Sequence, residues 1–401
     1  MNIGVGIDIS KGKSTVCIAS SDGEIIEMPF EVKHTIPELE EVEKKICLYD
    51  RNKIKILMEY TGQYSLPVHK YFRDRGYYVI MENPLKLKRM MDSTVRLAKT
   101  DRRDSIKLAL CIINNWDKFK RMNKTSEIYE RLHFLSRQYY VCKKNLIHQK
   151  VVFASLCDYL FPGCYELIKT NNYEFVVETF QKYYHPDLVL KKDRETFINE
   201  IEYEGILINH RIMAKKHAIR LYDLAQNTIP LYKNSRYLKM IVKSTTELVL
   251  LSFKNIEKIT NEIIELAKRL PEYEIATKMP GSGEILGSLL IAEMGDVRRF
   301  SNVKQITAFA GLDTATYQSG KYTAENLHIT KKGSKYLRNI GYQIISQLCN
   351  HYDSSNEIVS FVLKKESEGK HKKKAKTAGV NKLLKKYYGM VKKKYIELGI
   401  W

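Results

Sequence analysis

Three short apolar runs open the chain, GVGIDIS, STVCIAS and EIIEMPFEV, with the turn signal SSDG before the last. Runs of this length bounded by turn residues predict strands. The period then changes. PELEEVEKKICLYD spaces its apolar residues as a helix does, and Pro37 sits in the first turn, where proline is tolerated. KIKILMEY reads as a strand, YSLPVHKYFRDRG as a helix ending at Gly76, and YYVIMEN as a strand closed by Pro84. Three strands followed by helix, strand, helix and strand predict a mixed sheet with helices on its faces.

The middle of the chain has a longer period. Apolar or near-apolar residues fall at Ile128, Leu132, Leu135, Tyr139, Cys142, Leu146, Phe153, Leu156 and Leu160. The steps alternate between four and three, with one step of seven across Gln149, and the run stops at Pro162 and Gly163. This is a heptad seam. A second seam runs through Val249, Ile256, Ile259, Ile263, Leu266 and Leu270 and stops at Pro271. Two such seams fit an antiparallel helical hairpin, a dimerising coiled coil, or a bundle packed within one chain, and the pattern does not choose among them. Residues 163–240 read as an irregular helical insert rich in Tyr and Lys, with no recognisable chemistry.

Residues 271–350 form a further unit. In KMPGSGEILGSLLIAEMGD a tight glycine turn leads into an amphipathic helix. Gly281 and Gly283, following Pro280, look like the hairpin of a helix-hairpin-helix element, whose backbone N–H groups can hold a phosphate; turns of this kind are also commonly structural. FSNVKQITAFAGL predicts a helix ending at Gly311, DTATYQSGKYT a loop, and GSKYLRNIGYQIISQL another helix. The expected organisation is α/β followed by α. An α/β domain spans 1–115, a helical coiled-coil domain spans 116–270 with its insert at about 163–240, and a mainly helical domain with a basic tail spans 271–401. The element order of the first domain is that of a ribonuclease H-like fold.

Charge narrows the class of partner. The chain carries 67 Lys and Arg against 46 Asp and Glu, a formal net charge of +21. From Lys364 to Lys394 there are 13 Lys and only two acids, Glu366 and Glu368. A patch this focused points to a polyanion, nucleic acid being the usual one, in preference to a solubilising surface. Lys372, Lys373 and Lys374 are its densest stretch. No apolar run is long enough to span a membrane, and no signal-peptide pattern is present at the N-terminus. The seven cysteines form no CxxC pair, which argues against a zinc site or a disulfide framework and fits a reducing cytoplasm.

Against this basic background four acids stand out. Asp8 lies inside GVGIDIS, Glu59 ends KIKILMEY, and Asp101 and Asp104 open the helix KTDRRDSIKLALCI. Asp101 and Asp104, three apart, share one helical face, though taken alone that pair reads better as a helix cap and a first-turn acid stabilised by the helix dipole. Asp8 is different, because a lone carboxylate within an apolar strand is costly without a partner or a metal. Together the four can converge on a hard cation such as Mg²⁺, and paired cations can clamp the attacking and leaving oxygens of a phosphodiester. Ser319 stands in a loop near Lys321, His328, Lys331, Lys332 and Arg338. An attacking serine alkoxide needs such cations around the phosphate, although Ser-Gly is also an ordinary loop dipeptide.

At this point the motifs resemble a known family. GIDISKGKSTVCI, MEYTGQYS and AKTDRRDSIKLA are similar, in order, to the three acidic motifs of the DEDD transposases of the insertion-sequence 110 family, related to Piv-type DNA invertases. MPGSGEILGSLLIAEMGDVRRFSNVKQITAFAGL, YQSG and HITKKGSKYLRN resemble its C-terminal domain, and EGKHKKKAKTAGVNKLL the basic stretch after it. The likeness covers about 1–115 and 275–395, and no family motif matches 163–240. One departure is Thr314, where members often carry proline.

The resemblance implies a RuvC-like first domain, a coiled-coil middle, and a C-terminal domain with a serine nucleophile. It implies Mg²⁺ or Mn²⁺ held by Asp8, Glu59, Asp101 and Asp104, and a phosphoserine link to DNA at Ser319. It implies a structured non-coding guide RNA. The glycines and basic residues named above are expected to contact nucleic acid, and the chain is expected to act as a homo-oligomer, dimer or tetramer, with composite sites, because a coiled-coil arm separates the carboxylates from the serine. Two other readings stay open at this point. One is a RuvC-like nuclease that acts by hydrolysis alone. The other is an ATPase of the actin-like fold, whose second phosphate loop is not found in the sequence.

Overall fold

The strands at the centre of the first sheet, Ile3–Ile9, Lys13–Ser20 and Ile54–Glu59, alternate their side chains between two covered faces, which explains why they read as nearly unbroken apolar runs. The structure is a computed structural model. It describes residues 1–401 apart from 92–99, 120–125, 168–172, 208–210, 315–317, 320–321 and 324–327, and apart from the side chains at 85, 206–207, 318–319 and 322–323. Two compact units are formed, Met1–Lys124 and Thr125–Trp401.

In the first unit the strands are Ile3–Ile9 (β1), Lys13–Ser20 (β2), Ile25–Lys33 (β3), Ile54–Glu59 (β4) and Tyr78–Glu82 (β5). They form one sheet in the order β3-β2-β1-β4-β5. The β3-β2-β1 meander is antiparallel, and β1, β4 and β5 run parallel. The helices are Ile36–Ile46 (α1), Ser65–Asp74 (α2), Pro84–Met91 (α3) and Asp101–Asn114 (α4). On one face Ile3, Val5, Ile7, Ile54, Ile56 and Met58 pack with Val42 and Ile46 of α1 and with Val68 and Phe72 of α2. On the other face Leu57 and Ile80 meet Leu108, Cys111 and Ile112 of α4.

Glycine sets how closely α4 lies on the sheet. A Cβ on Gly4 would stand 2.8 Å from the Ala109 carbonyl oxygen, and one on Gly6 would stand 2.2 Å from the Ser105 oxygen and 2.3 Å from the Ala109 nitrogen. The backbone of α4 therefore touches the backbone of β1, as only glycine permits.

The second unit is built on two long helices, Glu127–Leu160 (α5) and, after the insert, Arg236–Ala267 (α11). The insert contributes Cys164–Leu167 (α6), Tyr173–Lys182 (α7), Pro186–Leu190 (α8), Arg194–Leu207 (α9) and Arg211–Asn227 (α10). Leu132, Tyr139, Leu146, Phe153 and Leu160 of the first seam are buried, while Ile128, Leu135, Cys142 and Leu156 are half-buried. The two long helices pack side by side and antiparallel. The start of α5 shares a core with Ile263 and Leu266 near the end of α11. The end of α5 shares another with Leu238, Val242 and Val249 near its start. The insert is not loose, since Phe175, Phe180, Phe197 and Leu221 are buried in that second core.

The first of these cores also gathers Tyr273–Lys278 (α12), Gly283–Met294 (α13), Val303–Phe309 (α14), Lys335–His351 (α15), Glu357–Ser367 (α16) and Lys372–Glu397 (α17). A two-stranded ribbon, Gln318–Ser319 (β6) with Tyr322–Thr323 (β7), lies between α14 and α15 in sequence. The lysine-rich stretch is α17, which buries Leu383, Leu384, Tyr387 and Val391. Among the described residues no helix is long and apolar enough to cross a membrane.

Candidate active site and nucleic-acid interface

Register brings the strand acids to one level. Pairing of β1 with β4 runs from Ile3 opposite Ile54 to Ile7 opposite Met58, so the next step sets Asp8 beside Glu59. Partners in register share a face. Asp8 continues the Gly4–Gly6 face, which α4 covers, and Glu59 continues that of Leu57, which packs on α4. Both acids are half-buried.

The helical pair arrives at the same edge. Gly4 is level with Ala109 and Ile112, and Gly6 with Ser105 and Ala109, so Asp8 comes level with the first turn of α4. That turn holds Asp101 and Asp104. Thr100, not Asp101, is the cap, its side chain accepting from the Arg103 N–H at 3.3 Å. Asp101 is thus spared a capping role. It lines a cavity of about 440 Å³ together with Thr15 and Glu31, and Thr15 is the cross-strand partner of Asp8. Asp101 also helps raise the pKa of Lys13, after the larger effect of the Lys13–Glu31 pair. Asp104 faces Lys107 at 3.7 Å.

A further acid joins this edge. Glu82 stands opposite Glu59 in the register of β4 and β5 and pairs with Lys86 at 2.9 Å. It escapes a sequence reading because it precedes Asn83 and Pro84 and looks like the start of a turn. Among the described residues no three His, Cys, Asp or Glu side chains are gathered closely enough to hold a metal ion. The donor set itself fits a hard divalent cation. All four ligand candidates are carboxylates, and they come from two adjacent strand ends and one helix turn.

In the second unit Ser319 is the last residue of β6, opposite Tyr322. Lys321 lies outside the described residues, as does the Ser319 side chain. The root of this ribbon is firmly tied. Thr314 bridges Ile329, Thr330 Oγ1 donates to Asp313 Oδ1 at 2.6 Å, and the Ser334 N–H donates to the Phe309 carbonyl at 2.8 Å. The Arg338 guanidinium donates to the carbonyls of Ala310 and Gly333 at 2.8 and 3.1 Å. His328, Lys331 and Lys332 are exposed on this root, and Lys331 adopts a left-handed conformation, φ 55°. Strain of this kind clusters at working sites.

The glycine turn before α13 divides its two glycines. Gly281 is pressed against α15, where a Cβ would stand 2.7 Å from the Ile344 carbonyl oxygen, whereas Gly283 has open space. Between them the buried Ser282 donates its hydroxyl to the Ala276 carbonyl at 2.6 Å. Lys372, Lys373 and Lys374 are exposed in the first turn of α17. Cations there oppose the helix dipole, a cost that a bound polyanion would offset.

Sequence reasoning missed a buried acid in the second unit. Glu293 of α13 has no exposed side-chain surface. It accepts from Ser136 Oγ at 2.8 Å, Arg137 Nη2 at 3.0 Å and Ser334 Oγ at 3.2 Å. Burial raises its pKa, and Arg137 is the largest influence in the other direction. The signal was available, since Glu293 interrupts the apolar run GSLLIAEM much as Asp8 interrupts GVGIDIS.

Comparison with known proteins agrees with this layout. Residues 5–162 match the DEDD-type IS110 transposase family, described as "Transposase". Residues 273–360 match a family described as "Transposase IS116/IS110/IS902 family". The chain is 23% identical over 371 residues to "Insertion element IS116 uncharacterized 44.8 kDa protein" of Streptomyces clavuligerus, covering 92% of this chain and 89% of that protein. It is 26% identical over 198 residues to "Transposase for insertion sequence element IS1111A" of Coxiella burnetii, covering 48% of this chain and 53% of that one. Both family regions fall where the acidic edge and the serine ribbon lie, in the same order, and the chain belongs to the IS116/IS110/IS902 family of transposases, enzymes of DNA transposition.

Proposed function

We propose that this transposase cleaves and rejoins DNA through two sites, a carboxylate site in the first unit and a serine in the second. The observation that carries the reading is the alignment of Asp8 with Glu59 at the edge reached by the first turn of α4. The strand order supports a RuvC-like, ribonuclease H-type fold for this unit. Asp8, Glu59, Asp101 and Asp104 would hold Mg²⁺ or Mn²⁺, which when bound supplies Lewis acidity toward phosphate oxygens. The carboxylates themselves would fix where such a cation sits, and as hard oxygen donors they would favour a hard divalent ion.

Ser319 is the nucleophile in this reading. Its oxygen bonds to phosphorus as one deoxyribose oxygen departs and takes a proton, leaving a phosphoserine ester. The exposed His328, Lys331 and Lys332, with Lys321 beside the serine in sequence, balance the charge that builds on the phosphate. Lys372, Lys373 and Lys374 and the open Gly283 extend the nucleic-acid surface.

The chain acts as a homo-oligomer, a dimer or tetramer whose sites combine carboxylates and serine from different subunits. Exposed apolar side chains on the long helices support this: Phe134, Val141 and Val151 on α5, and Met240, Leu248 and Leu251 on α11. The two long helices act as a coiled-coil arm within the second unit. The surplus of positive charge leaves room for a guide RNA beside the DNA.

The deciding experiment traps the protein on a labelled DNA duplex carrying an element end. A covalent adduct that Ser319→Ala removes, with binding retained, supports the serine. Nicking without an adduct would return the hydrolytic nuclease reading. Turnover by Asp8→Asn at the wild-type rate would sink the carboxylate site.

A further inference from the structure

Two guanidiniums and an imidazole meet beside the root of the serine ribbon, with one buried carboxylate, Glu293, paired to one of the guanidiniums. His133 and Arg137 lie one turn apart on α5. The His133 Nε2 is 3.3 Å from Arg137 Nε and 3.0 Å from Nη2. Arg299 comes from the turn after α13. Together with burial, the largest cause, the Arg137 and Arg299 guanidiniums push the His133 pKa down to about 4. The His133 ring keeps a solvent-facing edge, and Arg299 is also exposed.

The cluster is held in place by its surroundings. Arg137 is anchored on the buried Glu293 at 3.0 Å and stacks on the Tyr336 ring at 3.9 Å. Arg299 donates to the Met294 carbonyl at 2.7 Å and lies against the rings of Phe300 and Phe309, 4.7 and 4.3 Å from their centres. The carboxylate on its own segment, Asp296, is engaged by Arg298 through both oxygens and acts on Arg299 only from a distance. Guanidiniums fixed in this way, with most of their ordering cost already met by the fold, recognise planar arrays of phosphoryl oxygens. Glu293 also binds Ser334, the cap of α15. The same buried acid therefore orients the basic cluster and the helix that follows the ribbon.

We propose that His133, Arg137 and Arg299 form a phosphate-binding site, and that its ligand is a backbone phosphodiester of the nucleic acid on which the serine ribbon acts. The choice of nucleic acid rests on the function proposed above; the anion site itself does not. Its position ties the long helix α5 to the strand being processed, so that DNA seated at the ribbon is read by the arm as well.

Two measurements on the full chain test the site. In the first, inorganic phosphate is added to protein labelled at histidine, and the ring signals of His133 are followed by NMR. They shift in the wild type and remain still in Arg299→Gln. In the second, binding to a short DNA duplex is measured over a salt series. Arg299→Gln and His133→Gln weaken binding, and Arg299→Gln lowers the slope of log affinity against log salt by about one. Wild-type affinity and slope in both variants would overturn the nucleic-acid assignment. A His133 signal indifferent to phosphate would overturn the anion site. Wild-type protein that binds no duplex while phosphate still moves His133 would count against the proposed function and leave the anion site standing. Arg137 is left intact throughout, because removing it strands the buried Glu293 charge and threatens the fold.

Discussion

Glu59 lies directly opposite Glu82 across the parallel strands β4 and β5. With Asp8 at the same level on β1, three adjacent strands each carry a carboxylate at or next to their last residue. Lys86 pairs with Glu82 at 2.9 Å and leaves it outside the group of four ligand candidates. If the carboxylate site holds a metal as proposed, Glu82 would tune it without holding it. Outer partners of this kind are worth about tenfold or more in metal affinity. Glu82→Gln is expected to raise the Mg²⁺ concentration for half-maximal strand cleavage by about that factor, whereas Asp8→Asn removes cleavage at any concentration. A Mg²⁺ titration of cleavage separates the two, and an unchanged midpoint in Glu82→Gln would confine that residue to its pair with Lys86.

A second prediction follows from the contact between Gly6 and α4. In Gly6→Ala the new Cβ would press on backbone atoms at 2.2 and 2.3 Å, which no side-chain adjustment relieves. The helix must withdraw, at a cost of about 3 kcal/mol, the upper end of ordinary overpacking. Because α4 carries Asp101 and Asp104, cleavage should fall with it. Gly12→Ala is the control. Gly12 has a positive φ of 77° but open space around it, so its cost is only the strain of that conformation, about 1 kcal/mol. Thermal unfolding of both variants checks the ordering, and equal losses would remove the close approach as the reason for glycine.

The strands and the long helices were legible in the sequence because each rests on local pattern, and the four acids of the proposed site stood out for the same reason. Asp8 interrupts an apolar run, and Leu132 to Leu160 repeat every seven residues. What was not legible depends on residues far apart. Ser136 and Glu293 are 157 positions apart, and nothing near either one announces the other. The pairing of α5 with α11 was open for a related reason, since a seam records that a partner exists without naming it. The core formed by the insert with the end of α5 was hidden in part because α6 and α8, of 4 and 5 residues, are too short to display a period. Thr100 took the capping role that the sequence had offered to Asp101, because a cap needs an extended backbone, which Thr100 has at φ −145° and ψ 145°.

A third prediction concerns acid stability. His217 on α10 is 5% exposed, and its pKa falls from 6.5 to about 4, chiefly through burial and then through Arg220. Above the unfolded value both states are neutral and the full stability is present. As pH falls from about 6.5 toward 4 the unfolded chain binds a proton that the folded chain refuses, so stability is lost across that window and levels off below it. The loss from this residue is on the order of 3 kcal/mol. His217→Leu should show a smaller drop in melting temperature between pH 7 and pH 4.5 than the wild type. Identical drops would mean that the ring takes up its proton without unfolding.

The last prediction tests whether the serine ribbon is held by its root. Arg338 joins the two chain segments that enter and leave the ribbon, bonding to Ala310 on one side and Gly333 on the other. Gly311 and Gly333 are pressed together there, a Cβ on Gly333 reaching within 2.3 Å of the Gly311 nitrogen. Burial lowers the Arg338 pKa, yet two carbonyl acceptors keep a cation useful at this position. Hydrogen bonds from a charged donor contribute about 1.5–3 kcal/mol each. Arg338→Met removes both and should loosen the ribbon without disturbing the core of α15, whose buried side chains lie on the Leu337, Ile340 and Ile344 face. The rate of covalent adduct formation at Ser319 is expected to fall at least about tenfold, since small misplacements of a nucleophile are that costly. Duplex affinity should change little, because the guanidinium is turned onto backbone carbonyls. Adduct formation at the wild-type rate would show that the ribbon keeps its place without the clasp, and a matching loss of duplex affinity would reassign Arg338 to the nucleic-acid surface.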